Sequence, residues 1–427
     1  MWPSVTRGRR KNLPTGSTRT GSTTTAGNSK RGRKLISTGK ETTSGRPLFL
    51  DLNLNIIFSV TLMSVLGVAS IAPAFPQIAA RFGIGNAEAG WLVSSFTVPG
   101  LLFTPLLGLL ADRFGRKQVL VPCLFLFGFA GGGCFFAADF HTLLILRFLQ
   151  GTGAAALNSL NVTLIGDLFH EENRTIAMGY NASVLSMGTA SYPALGGLLA
   201  MLGWNYPFAL AFLGVPTGML VLFFLEHRSP PRRNQSSGGT LRKALLNPQT
   251  LLLFFTSTIT FIILYGAFLT YLPFFLAETF AATSLTIGLI SAGMSLSAAL
   301  AASQTRRLTR LFSRRTLLTT AFGLYALGLL LILRLSSCYA MLLPSLCFGL
   351  GQGINMPTLL TMLTEIAPPD SRAVFLSLNS MSLRLGQTLG PLMMGAVYIG
   401  WGIQAVFFFG LILAAAMAVL LWFSIPR

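Results

Sequence analysis

Charge is almost absent from long parts of this 427-residue chain, and that absence limits what the chain can fold into. Twelve separate stretches are mainly apolar and about 20 residues or more in length, enough for a helix to cross a bilayer. Only 10% of the residues are charged, whereas soluble domains contain about 25%. Strands of a membrane barrel would alternate in hydrophobicity, and these stretches do not. We therefore expect an all-α membrane protein with twelve transmembrane helices.

The basic residues are distributed unevenly along the chain. The net charge is +19, and of the 31 Lys and Arg residues 11 precede Pro47. With a cytoplasmic N-terminus, 16 of the other 20 fall in cytoplasmic loops or at the C-terminus. This asymmetry follows the positive-inside rule, so we predict that both termini are cytoplasmic. The basic charge is attributed to membrane topology, and no nucleic-acid partner is expected.

Two polar segments divide the chain into parts. Residues 1–48 form a basic tail that we expect to be disordered on the cytoplasmic side, beside anionic lipid. Residues 226–249 form a second polar segment, which we expect to be a flexible cytoplasmic linker. The remaining parts, 49–225 and 250–427, each contain six of the apolar stretches.

An internal repeat relates these two parts. At an offset of 198 residues, GTASYPALGG from Gly188 aligns with GQTLGPLMMG from Gly386, and Arg116 aligns with Arg314. Parallel six-helix repeats related by an axis along the membrane normal are a transporter architecture, in which substrate binds between the halves near the midplane. The sequence thus predicts two pseudo-symmetric six-helix bundles.

The segment GLLADRFGRK, residues 108–117, connects the second and third apolar stretches on the predicted cytoplasmic side. A loop that only sets topology would need the arginines but not the glycines or Asp112. We expect Gly108 to let one helix approach another closely and Gly115 to permit a turn that a β-carbon would hinder. The counterpart loop in the second half keeps the basic residues but has Arg310 at the position of Asp112.

This segment resembles the loop signature of the major facilitator superfamily, G-x-L-a-D-R-x-G-r-[KR]. In that family the loop clamps the two halves together on the cytoplasmic side in the outward-facing state. The resemblance implies the twelve-helix fold of that family and alternating access. It also implies a conformational switch formed by Gly108, Asp112, Arg113, Gly115, Arg116 and Lys117.

The fourth apolar stretch contains an arginine within LLILRFLQGTGAA, which resembles the fourth-helix motif of the same family. An arginine at the centre of a span is unfavourable by roughly 2.5–3.5 kcal/mol on insertion scales, so Arg147 should face a protein interior or a wet cavity. The alternative is a side chain that extends to the lipid headgroups. In relatives this arginine is linked to proton movement, so the resemblance implies a coupling role for Arg147.

Proton coupling usually needs a carboxylate whose pKa moves with its surroundings. Asp167, near the cytoplasmic end of the fourth stretch, is the nearest candidate, and an ordinary ion pair with Arg174 is the alternative. Glu365 occupies the corresponding place in the second half and would pair with Arg372.

GTASYPALGG resembles the motif G-x-x-x-G-P-x-x-G-G of drug–proton antiporters, with Tyr192 in place of the second glycine. Small residues at this spacing allow close helix contact, and a proline bends the helix. In those antiporters the bend helps to seal the outer side, although helix packing alone also explains the glycines. The predicted bend residues are Gly188, Pro193, Gly196, Gly197, Gly386, Gly390 and Pro391.

Polar residues within the spans are candidates for a substrate cavity. Membrane helices also use such side chains to bind one another, and that alternative stays open at each position. The first stretch has no acidic residue where some multidrug antiporters place one. The cavity candidates are Asn158, Asn161, Tyr265, Gln352, Asn355 and Arg384.

We expect a secondary active transporter of the cell's inner (plasma) membrane that exports a small apolar compound or drug in exchange for protons. The alternatives are a symporter or facilitator that takes up a sugar, organic acid or other nutrient, and a non-transporting membrane sensor or complex subunit. The sequence contains no Walker A, HExxH or GxSxG motif and no metal-ligand spacing, so it predicts no enzyme, cofactor or metal site. The expected partners are a small-molecule substrate, protons and the lipid bilayer, with the chain acting as a monomer.

Overall fold

The computed structural model of the chain describes residues 48–169, 171–226, 244–368 and 372–425. These residues are almost entirely helical, as the hydropathy pattern predicts. The predicted tail and most of the predicted linker lie outside the described residues.

In the residues that the structure describes, twelve membrane-spanning helices form two sets of six. The first six spans are Leu52–Phe82, Asn86–Phe114, Arg116–Phe136, Phe140–Leu168, Glu171–Ala200 and Tyr206–Phe224. The seventh to tenth are Pro248–Phe280, Ser284–Ser303, Arg314–Arg334 and Leu342–Ile366. The eleventh and twelfth are the two arms, 372–401 and 403–424, of the helical stretch Arg372–Ser424. The prediction of an all-α fold with two six-helix bundles is confirmed.

Apolarity alone does not identify all of these spans. In the part of the chain that the structure describes, nine helices are both long and apolar enough to cross a membrane, with the eleventh and twelfth spans counted as one. The fifth and tenth spans have the length, with 30 and 25 residues, but are more polar. A helix that packs inside a bundle can carry such residues because other helices, rather than lipid, surround them.

The first and seventh spans are irregular near their middle. The first is helical over Leu52–Ala69 and Phe75–Phe82, with a tight turn at Ala72–Ala74 between them. The seventh widens into a π-helix over Ile263–Tyr271. At the 198-residue offset this π-helix corresponds to 65–73, which overlaps the break in the first span. Interrupted helices at equivalent positions of two repeats are typical of transporter binding sites.

Successive spans run in opposite directions, so their ends form two faces. The face that holds Leu52, Phe114 and Arg314 is called the basic end, and the face that holds Phe82 and Asn86 is called the far end. Each six-helix half has its own apolar core between these faces. The two cores allow each half to behave as a separate packed body.

Side-chain caps fix where several spans begin. Asp139, just before the fourth span, accepts hydrogen bonds from the Thr142 N–H at 2.8 Å and the Thr142 hydroxyl at 2.7 Å. These bonds hold the pKa of Asp139 below its ordinary value. Thr283 and Ser313 cap the eighth and ninth spans through their hydroxyl oxygens.

The eleventh and twelfth spans are joined through a backbone conformation that only glycine adopts readily. Gly402 has φ 80° and ψ −177°.

We expect Gly402→Ala to lower the free energy of unfolding by about 1–3 kcal/mol through backbone strain alone, since a β-carbon there would meet nothing within 4 Å. A lowered thermal unfolding midpoint of the purified protein checks this. Gly400→Ala is the matched control, because its added β-carbon also meets open space and its φ is not positive. Equal midpoints for the two variants would contradict the prediction.

Candidate functional site at the interface between the halves

The two halves are joined at the far end. The second span packs on the eleventh, and the fifth packs on the eighth. The Ser94 hydroxyl donates to the Thr388 carbonyl at 3.0 Å, and the Thr388 hydroxyl donates to Thr97 Oγ1 at 3.0 Å. The Gln77 amide donates to Ser284 Oγ at 2.9 Å. These polar contacts close the space between the halves on this side.

Each half also contributes a proline that lies against a glycine of the other half. A β-carbon on Gly288 would overlap the Pro193 carbonyl, and one on Gly90 would lie 3.3 Å from Pro391. The prolines are 198 residues apart, and so are the glycines. The interface is therefore pseudo-symmetric. Sequence analysis identified the prolines but missed Gly90 and Gly288, although the same offset relates them.

The predicted bend glycines all lie at close helix contacts. Gly188 and Gly196 pack on the first span, at Leu62 and at the Ser70 carbonyl. In the second half, Gly386 and Gly390 pack on the seventh span, at the Thr258 carbonyl and the Ile262 carbonyl, and Gly197 packs across the interface on the Ser284 carbonyl. Helix packing accounts for these positions, and the contact of Gly197 makes one of them part of the seal.

Toward the basic end the halves part. A β-carbon on Gly108 or Gly179 would meet no atom within 4 Å. Ile176 and Tyr180, at the basic end of the fifth span, are exposed, whereas Pro193 in the same span is buried. The expectation that Gly108 permits close approach of another helix is thus not met in this conformation, because the space beside it is open.

Arg384 lies where the second and eleventh spans begin to part. Its guanidinium lies so close to Gly100 of the second span that a β-carbon on Gly100 would overlap it. Tyr265 of the seventh span is close enough to interact electrostatically with Arg384, and it packs against the apolar cores of both halves. Phe261 stacks on Tyr265, with ring centroids 5.7 Å apart. Of the predicted cavity residues whose side chains the structure describes, Arg384 and Tyr265 contact both halves.

Two other cavity candidates belong to a polar network inside the second half. The Asn355 amide donates to Thr260 Oγ1 at 2.8 Å and to the Tyr325 hydroxyl oxygen at 3.2 Å. The Tyr325 hydroxyl donates to Gln352 Oε1 at 2.6 Å. In this conformation Asn355 and Gln352 therefore bind helices of their own bundle.

Asn161 belongs to a similar polar network in the first half. Its amide donates to the Thr61 hydroxyl oxygen, and the Thr61 hydroxyl donates to Asn181 Oδ1. Asn379, which the repeat aligns with Asn181, accepts a hydrogen bond from the Ser257 hydroxyl at 2.7 Å. Each half thus joins its first helix to its fifth through an asparagine, a feature that sequence analysis missed. The side chain of Asn158 lies outside the described set.

Arg147 is fully buried, with 0% exposure. It donates to the Gly67 carbonyl at 2.8 Å, to Gln150 Oε1 at 2.7 Å and to the Leu92 carbonyl at 3.3 Å. Its guanidinium carbon lies 4.3 Å from the centre of the Phe96 ring, a cation–π contact. Arg147 therefore joins the first, second and fourth spans and does not extend to the lipid headgroups.

Among the described residues, two ion pairs at the basic end occupy equivalent places, one in each half. Arg116 pairs with Asp167, and Arg314 pairs with Glu365. Both partners of the first pair are 198 residues from those of the second. The expected partner of Glu365, Arg372 at the start of the eleventh span, was wrong, because Arg314 at the start of the ninth span occupies that place.

The same geometry applies to Asp167 in the first half. Its direct partner is Arg116, at the start of the third span, and not the expected Arg174. Arg174 lies beside the neighbouring Gly166.

The loop between the second and third spans adopts a conformation that needs glycine. Gly115 has φ 105°, in the region that favours glycine. The Lys117 ammonium donates to the Leu225 carbonyl at 2.7 Å, at the end of the sixth span. The Arg116 side chain is 13% exposed, whereas that of Asp112 is 60% exposed and lies 3.9 Å from Arg116. Asp112 and the exposed Arg113 thus face outward on a loop that is tied to its own half by Arg116 and Lys117.

Two pseudo-symmetric six-helix halves, sealed at one end and parted at the other, define a membrane transporter. The family description Major Facilitator Superfamily matches residues 57–283 and 266–427, and the chain belongs to that family. The protein is therefore a multi-pass membrane transporter and not an enzyme.

Proteins of known function resemble the chain over different lengths. Multidrug resistance protein 1 of Bacillus subtilis (strain 168) is 25% identical over 352 residues, 82% of this chain and 90% of that protein. The bacillibactin exporter of the same organism is 30% identical over 163 residues, 36% of this chain and 40% of that protein. The crystal structure of a mutant of the nucleoside transporter NupG has a TM-score of 0.75 at 14% identity, covering 87% of this chain and 99% of that one. That likeness shows the fold.

The proline–glycine contacts predict how the seal responds to added volume. We expect Gly288→Ala to overlap the Pro193 carbonyl, at a cost of about 1–3 kcal/mol, and so to favour opening of the far end by roughly tenfold. Disulfide cross-linking of Gln77→Cys to Ser284→Cys, in a chain whose four native cysteines are replaced, measures closure. Gly179→Ala is the control, because its β-carbon meets open space. Equal cross-linking in both variants would contradict the prediction.

Proposed function

We propose that the protein works by alternating access and exports a small, largely apolar compound in exchange for protons. The observation that supports this proposal is the asymmetry of the interface: the hydrogen bonds and proline–glycine contacts that join the halves lie at the far end, whereas the space beside Gly108 and Gly179 toward the basic end is open. A transporter exposes its site to one side at a time, and this arrangement suits one of the two states. The names of the relatives, a multidrug resistance protein and an exporter, support export over uptake.

In this mechanism the basic end faces the cytoplasm, as do both termini, and the membrane is the inner membrane of the cell. Most of the basic residues outside the spans then lie on the cytoplasmic side, in agreement with the positive-inside rule. The chain acts as a monomer, since the substrate path lies between the halves of a single chain.

The loop at residues 108–117 acts as the conformational switch. Arg116 and Lys117 fix the loop to its own half, while Asp112 is free to contact the other half when the basic end closes. Closure would give the exposed Asp112 carboxylate, which here pairs with Arg116 of its own half at 3.9 Å, additional partners on the other half. The carboxylate, and not the basic charge of the loop, is then what the switch depends on.

Proton coupling runs through Asp167, with Arg147 supporting it. A proton on Asp167 would remove the charge that holds Arg116 and so loosen the switch loop. Arg147 contacts no carboxylate among the described residues, and its hydrogen bonds to carbonyls of the first and second spans would pass a movement between those helices.

Transport in everted vesicles tests the proposed activity. We expect vesicles that contain the protein to accumulate a fluorescent test compound when respiration is energised, and to lose it when a protonophore collapses the proton gradient. Vesicles without the protein are the control. Accumulation only in right-side-out vesicles would indicate uptake. No flux of any compound by a folded protein would favour a membrane sensor.

The two repeat-related ion pairs provide a matched test of coupling. We expect Asp167→Asn to flatten the pH dependence of export, because the group that exchanges the proton is lost. Glu365→Gln removes the equivalent charge from the other half and should leave the pH dependence unchanged. Initial rates of export across a range of pH values, at equal amounts of protein, make the comparison. The same pH profile in Asp167→Asn and the unmodified protein would exclude Asp167 from coupling.

A further inference from the structure

The two arginines within the spans have opposite surroundings. Arg147 is buried and hydrogen-bonded to two backbone carbonyls and to Gln150. Arg384 is partly exposed, and among the described residues it has neither an ion pair nor a hydrogen bond. We propose that Arg384 binds the acidic group of the transported compound, so that the substrates are organic anions with an apolar body. This proposal rests on the proposed transport function and specifies its substrate class.

The distribution of carboxylates supports this assignment. In the described part of the chain, the acidic residues lie at span ends or in loops, far along the helices from Arg384. They are Asp51, Glu88, Asp112, Asp139, Asp167, Glu171, Glu172, Glu226, Glu278 and Glu365. A guanidinium in the middle of a span without a counter-ion is unfavourable, and such groups pair with a partner or line a substrate path. An anionic ligand supplies the charge that the protein lacks.

The groups around Arg384 fit the rest of such a ligand. The Tyr265 hydroxyl has no hydrogen-bond acceptor among the described residues, so it offers a second donor near the guanidinium. The stacked rings of Phe261 and Tyr265 offer an apolar surface beside these donors. Gly100 leaves room for the guanidinium on the opposite side of the gap. Arginine binds a carboxylate through two parallel hydrogen bonds, which makes it well suited to this role.

The sign of the charge distinguishes this substrate class from the others. A cation entering the gap would meet Arg384 with no carboxylate nearby to compensate. A neutral apolar compound would cover the guanidinium without satisfying its donors, which is costly in a region with little water. An anion removes both penalties.

A series of probes with one aromatic core and three charges tests the inference. Equilibrium binding of tritiated 2-naphthoate to the purified full-length protein is measured, with 2-naphthamide and (2-naphthylmethyl)trimethylammonium as competitors. We expect saturable binding of naphthoate, and at least roughly tenfold weaker competition by the neutral and cationic probes, as the loss of a charge-assisted hydrogen bond implies. Arg384→Gln should weaken naphthoate binding by a similar factor, and Arg384→Lys should weaken it less.

Arg334→Gln is the matched control, because it removes the same charge from an exposed position at the end of the ninth span. Thermal unfolding midpoints establish that each variant is folded. Naphthoate binding by Arg384→Gln at the level of the unmodified protein would overturn the inference, and so would absent naphthoate binding or equal competition by the cation. Export of a cationic dye without anion binding would leave transport intact and overturn only the substrate class. Anion binding without flux of any compound would support anion binding by the protein and overturn the proposed transport function.

Discussion

A proline of each half lies against a glycine of the other, and this exchanged contact determines how the two bundles meet. In lipid the hydrophobic effect does not drive helices together, so close packing of small residues decides which surfaces associate. Gly90 and Gly288 allow such packing, because a β-carbon on Gly288 would overlap the Pro193 carbonyl and one on Gly90 would lie only 3.3 Å from Pro391. Since each bundle has its own apolar core, two fixed contacts at the far end leave the basic end free to separate. The gap at Arg384 follows from this geometry.

Within each half, several buried polar side chains bond to one another and to the backbone, although Arg147 Nη2, Asn161 Oδ1 and Asn355 Oδ1 have no hydrogen-bond partner among the described residues. Arg147 illustrates this bonding, since its charge is buried among carbonyl oxygens, an amide oxygen and an aromatic ring. Asn161 and Asn355 show it too, each bonded to a hydroxyl of the neighbouring first or seventh span. Arg384 differs, because its guanidinium has no hydrogen bond or ion pair among the described residues, and on the proposed assignment an anionic substrate supplies that partner.

The sequence predicted the spans and the halves well because lipid leaves a chain few options. Backbone groups must bond internally, so a long apolar stretch has to be a helix, and the 198-residue offset then separates the bundles. The more polar tenth span was still identified, because Tyr339–Ile366 is a long and mainly apolar stretch. The break in the first span, which contains Pro73, and the π-helix in the seventh span were not predicted.

Partners were harder to predict than positions. The sequence identified Asp167 and Glu365 as notable carboxylates but gave both the wrong arginine, because the nearest residue along the chain is not the nearest in space. The offset itself held the answer: Arg116 and Arg314 are related by the same 198 residues as the two acids. A repeat therefore carries information about contacts, because a pair formed in one half is expected in the other.

The repeat also shows where the halves differ, and this bears on the switch. Arg116 and Asp167 have counterparts in Arg314 and Glu365, but the first pair is largely buried, with side chains 13% and 11% exposed, whereas the side chains of the second pair are 42% and 48% exposed. Asp112 has no counterpart, since Arg310 occupies its position in the second half. On the proposed mechanism the latch is therefore one-sided, with a carboxylate on one loop and only basic groups on the other. A one-sided latch gives the basic end a different closing energy from the far end, where paired prolines and glycines act symmetrically. Protonation would then alter the balance between the two states at one loop alone.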